Sequence, residues 1–253
     1  MNILSRLVNL VYPSKCSFCG KLISFQKSGI NICSECMDKI KFCASRKRCK
    51  VCGTPLGNPR YRFCQSCFRK AKSNICTYYN GITAAVEYDR NSKRGILNLK
   101  HARSLSSVNT FSNLITAMVK NDFGGVNFDY ITAIPPRRQR MKEIGFDQSG
   151  ALAKKTAKLL SVKYYPNLFK RIRQTSKQTD LSSFERQQNL NGAFGLKGNS
   201  DNIQGKTILV DVTTTGATFN ECARVLKLSG AKAVYCAAIA TTEKNNGDRD
   251  SFT

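Results

Sequence analysis

Eight cysteines stand in four Cys-x-x-Cys pairs, Cys16/Cys19, Cys33/Cys36, Cys49/Cys52 and Cys64/Cys67. Such a turn puts two sulfurs on one side of a tight loop, and two turns close the tetrahedral four-thiolate site that zinc takes. The gaps between successive pairs are 13, 12 and 11 residues. Glycine follows two of the pairs, at Gly20 and Gly53, where a knuckle needs positive φ. The spacing predicts two structural zinc ions in tandem ribbons, on Cys16, Cys19, Cys33 and Cys36 and then on Cys49, Cys52, Cys64 and Cys67. The near-even gaps leave interleaved pairing open. Disulfides are the competing chemistry and need an oxidising compartment. In the first thirteen residues Arg6 interrupts the apolar series Ile3, Leu4, Leu7, Val8 and Val11, which is not the pattern of a secretory signal. A redox Cys-x-x-Cys has no reason to occur four times. Cys43, Cys76, Cys222 and Cys236 are left over as buried thiols.

A second chemical signal begins at Lys206 and reads KTILVDVTTTGATFNECARVLKLSGAKAVYCAAIA. Ile208, Leu209 and Val210 predict a buried parallel strand that Asp211 ends. Thr213 to Thr218 form a turn of small residues, Cys222, Val225, Leu226 and Leu228 recur at helical spacing, and Gly230 stops that helix. Ala233 to Ala240 form the next strand. The turn thus lies at the carboxyl end of a strand, where open α/β sheets bind ligands. Amides at a helix start, threonine hydroxyls and a glycine that allows close approach hold a phosphate. Asp211 is placed to accept hydrogen bonds from sugar hydroxyls. The turn after the strand holds no GK[ST], so this is not a Walker loop; the plain alternative is a βα turn whose threonine caps a helix.

Tyr130 to Ile134 predict another strand, ended by Pro135 and Pro136. Arg137, Arg138 and Arg140 follow in a loop, and guanidinium forks suit phosphate oxygens; the alternative is a solvated surface loop. Residues 163–200 form an insert carrying Lys170, Arg171, Arg173, Lys177 and Arg186 among polar residues. We read it as a hood or nucleic-acid contact, with Arg171, Arg173 and Arg186 as the contacting residues. Phe169 and Phe184 are candidates to stack bases, although a core role is the commoner use of phenylalanine. His101, the one histidine, reads as a surface helix residue and excludes a His-rich metal site.

These pieces need elements to position them. The 253 residues allow one large domain or two unequal ones. We expect a double zinc ribbon over 10–76, an α/β domain with a largely parallel sheet over 77–242, and a polar tail over 243–253. An apolar content of 41% excludes wholesale disorder, and no apolar run approaches the ~18 residues of a membrane span. The 41 Lys and Arg outnumber 16 acids, for a net charge of +25. Residues 1–76 hold 15 of those cations against only Glu35 and Asp38. Such a field attracts polyanions: nucleic acid, acidic lipid or phosphate substrates. The ribbon has little apolar matter of its own, so metal binding should supply most of its stability, on the order of 10 kcal/mol per site.

The loop resembles the PRPP-binding signature of type I phosphoribosyltransferases, an apolar run, two acids, two further residues and Thr-Thr-Gly-x-Thr. Here the match is Val210, Asp211, Val212, Thr213, Thr214, Thr215, Gly216, Ala217 and Thr218. The wider chain, from Val11 to Ala240, resembles the competence protein F (ComF) family. The resemblance runs through VYPSKCSFCG, the four cysteine pairs, Tyr88-Asp89 with Ile96 to Lys100, Ile134 to Arg140, and Gly145-Phe146-Asp147-Gln148. It continues through Arg171-Ile172-Arg173, Thr175, Gln178, Leu181, Arg186, Asn189-Leu190 and Gly192-Ala193-Phe194. It implies a type I phosphoribosyltransferase-like α/β fold behind a double zinc ribbon. It implies PRPP or a similar ribose phosphate on Asp211 to Thr218, its pyrophosphate on Arg137 and Arg138, and Mg²⁺ accompanying PRPP. It also implies a cytoplasmic role in DNA uptake for natural transformation, with single-stranded DNA as partner and other DNA-uptake proteins at the inner membrane. Two departures bear on catalysis. Val210 replaces the first acid of the pair, a lost charge-assisted bond of roughly 1.5–3 kcal/mol. Thr214 stands where some purine-salvage relatives carry an aspartate that works on the base. Cys16 is the first cysteine and is committed to zinc, so glutamine-dependent amidotransfer is not expected, and we name no catalytic residue. An active Mg-dependent phosphoribosyltransferase of unknown acceptor is the alternative.

Overall fold

The computed structural model describes residues 13–24, 28–72, 77–101, 105–173, 189–198, 202–214 and 217–241. Its strands are β1 (Gly81–Glu87), β2 (Tyr130–Ala133), β3 (Lys163–Tyr164), β4 (Phe169–Arg171), β5 (Phe194–Leu196), β6 (Thr207–Thr214) and β7 (Ala233–Thr241). Its helices are α1 (Ser34–Lys39), α2 (Gln65–Lys72), α3 (Arg90–His101), α4 (Leu105–Phe123), α5 (Arg138–Ile144), α6 (Gln148–Leu160) and α7 (Ala217–Leu228). Five strands form an all-parallel sheet in the order β1-β7-β6-β2-β3, and β4 and β5 form a separate antiparallel pair.

The central strands read as continuous apolar runs because both faces of the sheet are covered. Ile208, Leu209 and Val210 of β6 and Ala237, Ala238 and Ile239 of β7 are all buried. Helices α4 and α6 pack against each other; α4 lies on β1 and β7, and α6 on β2 and β6. The α7 crossover from β6 to β7 steps across the sheet in the opposite direction to the β2–β3 crossover. Right-handed crossovers therefore place α7 on the other face. Buried side chains such as Phe111, Ile131 and Leu152 each contribute roughly 1.5–3 kcal/mol. Connections leave β6 and β2 in opposite directions, so their carboxyl ends flank the switch point of the sheet.

Three local expectations are corrected. Asp211 does not end its strand: the ladder continues with Val212 opposite Ala238 and Thr214 opposite Ala240. Beyond Asp211, where the pairing with β2 stops, β7 alone continues the ladder and holds Thr213 and Thr214 extended rather than in the turn. The segment after Arg137 is a helix rather than a loop. Its Arg, Gln, Met, Lys and Glu are good helix formers, Gly145 (φ +64) closes it, and Asp147 caps α6 by accepting from Gly150 N at 2.9 Å. The insert begins later than expected, because Lys163 and Tyr164 belong to the main sheet beside β2.

The first ribbon shares the core of the α/β domain. Phe18 is fully buried with its ring edge-on to Phe111, 5.2 Å between centroids. Thr110 Oγ1 accepts from both Ser17 Oγ and Asn31 N at 2.9 Å. Gly95 permits this approach, since a Cβ there would lie 2.7 Å from Phe18 Cα. The second ribbon docks through Arg48, which reaches Asp122 at 2.6 Å and Thr83 Oγ1 at 3.2 Å. Gly53 backs onto Ile82, where a Cβ would come within 2.7 Å of the carbonyl oxygen. Phe42 bridges to Val86, and Lys41 O accepts from Glu87 N at 2.9 Å. No helix among the described residues is long and apolar enough to cross a membrane.

Candidate functional site

The eight cysteines resolve into two sets in chain order. The sulfurs of Cys16, Cys19, Cys33 and Cys36 lie within 4.8 Å of one another, as do those of Cys49, Cys52, Cys64 and Cys67. Sulfur contacts of 3.6 Å (Cys19–Cys33) and 3.5 Å (Cys52–Cys64) run between knuckles. A zinc–thiolate tetrahedron with ~2.3 Å bonds has edges of about 3.8 Å, so the donors fit the ion. Gly20 (φ +80) and Gly53 (φ +68) turn the knuckles, donating to Cys16 O at 2.9 Å and Cys49 O at 3.0 Å. Zinc bound in such a closed four-thiolate set acts as a structural cross-link. Of the four spare cysteines, Cys43, Cys222 and Cys236 are buried. Burial pushes the Cys43 thiol up to about 12 and the other two well above their ordinary value. Cys76 lies outside the described residues.

At the switch point, Asp211 sits beside Ala133, the last residue of β2. It is completely buried, on the side of the sheet covered by α6. Burial pushes its carboxyl up to about 7, and the hydroxyl of Thr156 on α6 only partly offsets that. Among the described residues neither carboxylate oxygen has a hydrogen-bond partner of good geometry, and Thr156 Oγ1 has none either. Tyr164 of β3 lies near enough that its phenol is raised by burial first and then by the charges of Asp147 and Asp211. The strand therefore delivers an acceptor whose lone pairs the described residues leave unmet.

The other candidates are distributed around it. Thr218 opens α7, whose first turn carries no acid to compete for its amides. Of Val212, Thr213, Thr214 and Ala217 only the backbone path is described: the first three extend β6 and Ala217 begins α7. Thr215 and Gly216 lie outside the described residues. Arg137 is the N-cap of α5, directly beyond the carboxyl end of β2, and Arg138 begins that helix. Arg171, expected at the nucleic-acid contact, lies beside the same strand end. Its Nε donates to Pro135 O at 3.2 Å, and its guanidinium lies over the Phe194 ring at 4.6 Å. Burial, and after it the charge of Arg137, hold its pKa below the ordinary value. Two guanidinium groups are thus gathered where β2 ends. Arg173 instead braces the insert, donating to Asn189 O and Asn191 O, both at 2.9 Å. Arg186 and Phe184 lie outside the described residues, and Phe169 is buried in the core. Thr156 and Tyr164 around Asp211 escaped the sequence reading, and Asp147 entered it only through the family resemblance; nothing in their spacing links them to residue 211, and only packing of α6 and β3 does.

Residues 7–68 match the family described as a double zinc ribbon domain. The DNA utilization protein YhgH of Salmonella typhi is 27% identical over 238 residues, which are 92% of this chain and 99% of that protein. The protein of the same name from Escherichia coli K12 is 26% identical over the same extent. Competence protein F of Haemophilus influenzae is 24% identical over 233 residues, 89% of this chain and 96% of its own. Among solved structures, the glutamine PRPP amidotransferase of B. subtilis, complexed with ADP and GMP, overlaps 56% of this chain at 16% identity and a TM-score of 0.36. The chain spans 30% of that enzyme's length. The chain is therefore similar, over nearly all of its length, to proteins named for competence and for DNA utilization.

Proposed function

We propose that this chain handles incoming single-stranded DNA in the cytoplasm and holds a ribose phosphate such as PRPP at the β6–β2 switch point. The observation that carries the phosphate half is the pairing of Arg137 with Arg171 at the end of β2, one strand over from Asp211. Guanidinium forks fit phosphate oxygens, and two of them converge at this strand end. Arg137 and Arg138 hold the pyrophosphate, and Arg171 joins them rather than the DNA. Amides at the start of α7 meet the 5′-phosphate. The unmet oxygens of Asp211 accept from the ribose hydroxyls, which draws its proton off. Mg²⁺ bound with PRPP would shield the pyrophosphate charge. The DNA half is supported by the net charge of +25 and by similarity to competence and DNA utilization proteins.

The experiment is one titration set: PRPP with Mg²⁺ and an unstructured single-stranded oligonucleotide, added separately and together. Both bind, and the DNA affinity falls steeply between ~50 and 200 mM salt. A flat salt response overturns the DNA half, and PRPP binding unchanged in Arg171→Ala overturns the phosphate half. The signature loop also favours a second reading, a working Mg-dependent phosphoribosyltransferase of unknown acceptor. Release of pyrophosphate from PRPP, lost in Asp211→Ala, would establish it; no turnover across a broad panel of acceptor bases would remove it.

A further inference from the structure

Large apolar side chains are exposed in one short stretch of the second ribbon: Tyr61, Phe63 and Phe68, at 55%, 48% and 47%. Tyr61 and Phe63 lead into the knuckle Cys64–Cys67, and Phe68 follows it on α2. Lys50 N donates to Arg62 O at 3.0 Å, which pins the segment bearing Tyr61 and Phe63 to the other knuckle of the same metal site. All three rings are thus mounted on one cross-linked frame. Their surroundings are cationic throughout. Residues 46–72 hold nine Lys and Arg, and no acid occurs anywhere from residue 39 to 86. Arg46 and Arg48 are taken up by Glu87 and Asp122 of the α/β domain. Arg60, Arg62, Arg69 and Lys72 lie beside the rings in sequence, and Lys72 Nζ sits 5.0 Å over the Phe68 ring.

We propose that Tyr61, Phe63 and Phe68 form a base-stacking platform for single-stranded DNA, with the neighbouring cations tracking its phosphates. Rings offer unpaired bases a face to stack on, and the cations meet the backbone, the combination single-strand binders use. A duplex presents phosphates but hides its base faces. A protein partner with an apolar patch would need neither the excess of cations nor the absence of acids. The proposal rests on the DNA reading above and assigns it a surface, one distinct from the β6–β2 crevice.

The test measures binding of a labelled oligo-dT, a duplex of equal length and vesicles rich in anionic lipid by the zinc-loaded full chain. Tyr61→Ala, Phe63→Ala and Phe68→Ala are compared with Arg62→Gln, with zinc content checked in each. Each ring variant loses about 5- to 150-fold in affinity for the single strand and little for the duplex. Arg62→Gln weakens both. Phe63→Tyr and Phe68→Tyr keep a ring and keep binding. If the intact chain binds oligo-dT and the ring variants match it, the platform is wrong and the DNA reading stands. If the intact chain binds no strand, the DNA reading itself falls. Equal losses on single strand and duplex, or losses confined to vesicles, also overturn the platform.

Discussion

Replacing Asp211 by asparagine should make the protein more stable, and increasingly so as pH rises. The carboxyl is wholly enclosed, no described residue gives it a hydrogen bond of good geometry, and burial, only partly offset by the Thr156 hydroxyl, lifts its pKa from 3.8 to about 7. The folded chain therefore keeps a proton that the unfolded chain releases above pH 3.8. Stability falls through the window from there to about pH 7 and is flat beyond it. At ~1.36 kcal/mol per pKa unit, the cost is about 1.7 kcal/mol at pH 5 and about 4 kcal/mol at pH 8. Asp211→Asn keeps the shape and cannot ionise; its own unmet amide costs the same at every pH. The readout is the difference in unfolding free energy between variant and wild type, by urea denaturation at pH 5 and pH 8 with zinc present. The difference should grow by about 2.5 kcal/mol across that interval, or roughly 5–10 °C in Tm for a chain of this size. Other titrating groups cancel, because both proteins carry them. A difference that stays constant with pH would refute the picture of a buried, unsatisfied carboxyl.

Three other perturbations follow from the packing. Gly95→Ala places a methyl against the Phe18 backbone and should cost about 1–3 kcal/mol, read as a lowered urea midpoint at unchanged zinc content. Asp122→Ala leaves Arg48, whose side chain is 9% exposed, without its carboxylate; a loss of about 3 kcal/mol is expected, and Asp122→Ala together with Arg48→Met should recover much of it. Cys49→Ser halves the bound zinc by elemental analysis, and a chelator strong enough to take both ions should remove on the order of 10 kcal/mol per site from the ribbons.

Much of this was legible because short-range chemistry dictates it. Cysteines three apart must face one another, so both metal sites could be read from spacing; which knuckles pair is a three-dimensional fact that the even gaps concealed. Strands β6 and β7 were legible as apolar runs and Gly230 as the helix stop. The far end of β6 was misread because the ladder with β7, which runs on to Ala240, outweighs the local turn preference of Thr213 and Thr214. Several motif residues turn out to be punctuation: Asp89 caps α3 by accepting from Ser92 N at 2.9 Å, and Asp147 caps α6 in the same way. Arg171 lies 34 residues beyond Arg137 in the chain, and no periodicity announces that the β4–β5 pair folds back to set it over Phe194 against Pro135.

The contacts of Phe42 and Lys41 with the outer side of β1 have a further consequence. Strand β1 is the last in its sheet, with β7 on one side and only ribbon backbone along part of the other. Its residues Ala84, Ala85 and Val86 are uncharged and apolar, the composition most prone to recruiting a foreign strand. Metal depletion would therefore do more than melt a finger. It would unmask a sticky border, and the apoprotein should fail by self-association into aggregates, faster at higher protein concentration, rather than by quiet unfolding of single molecules.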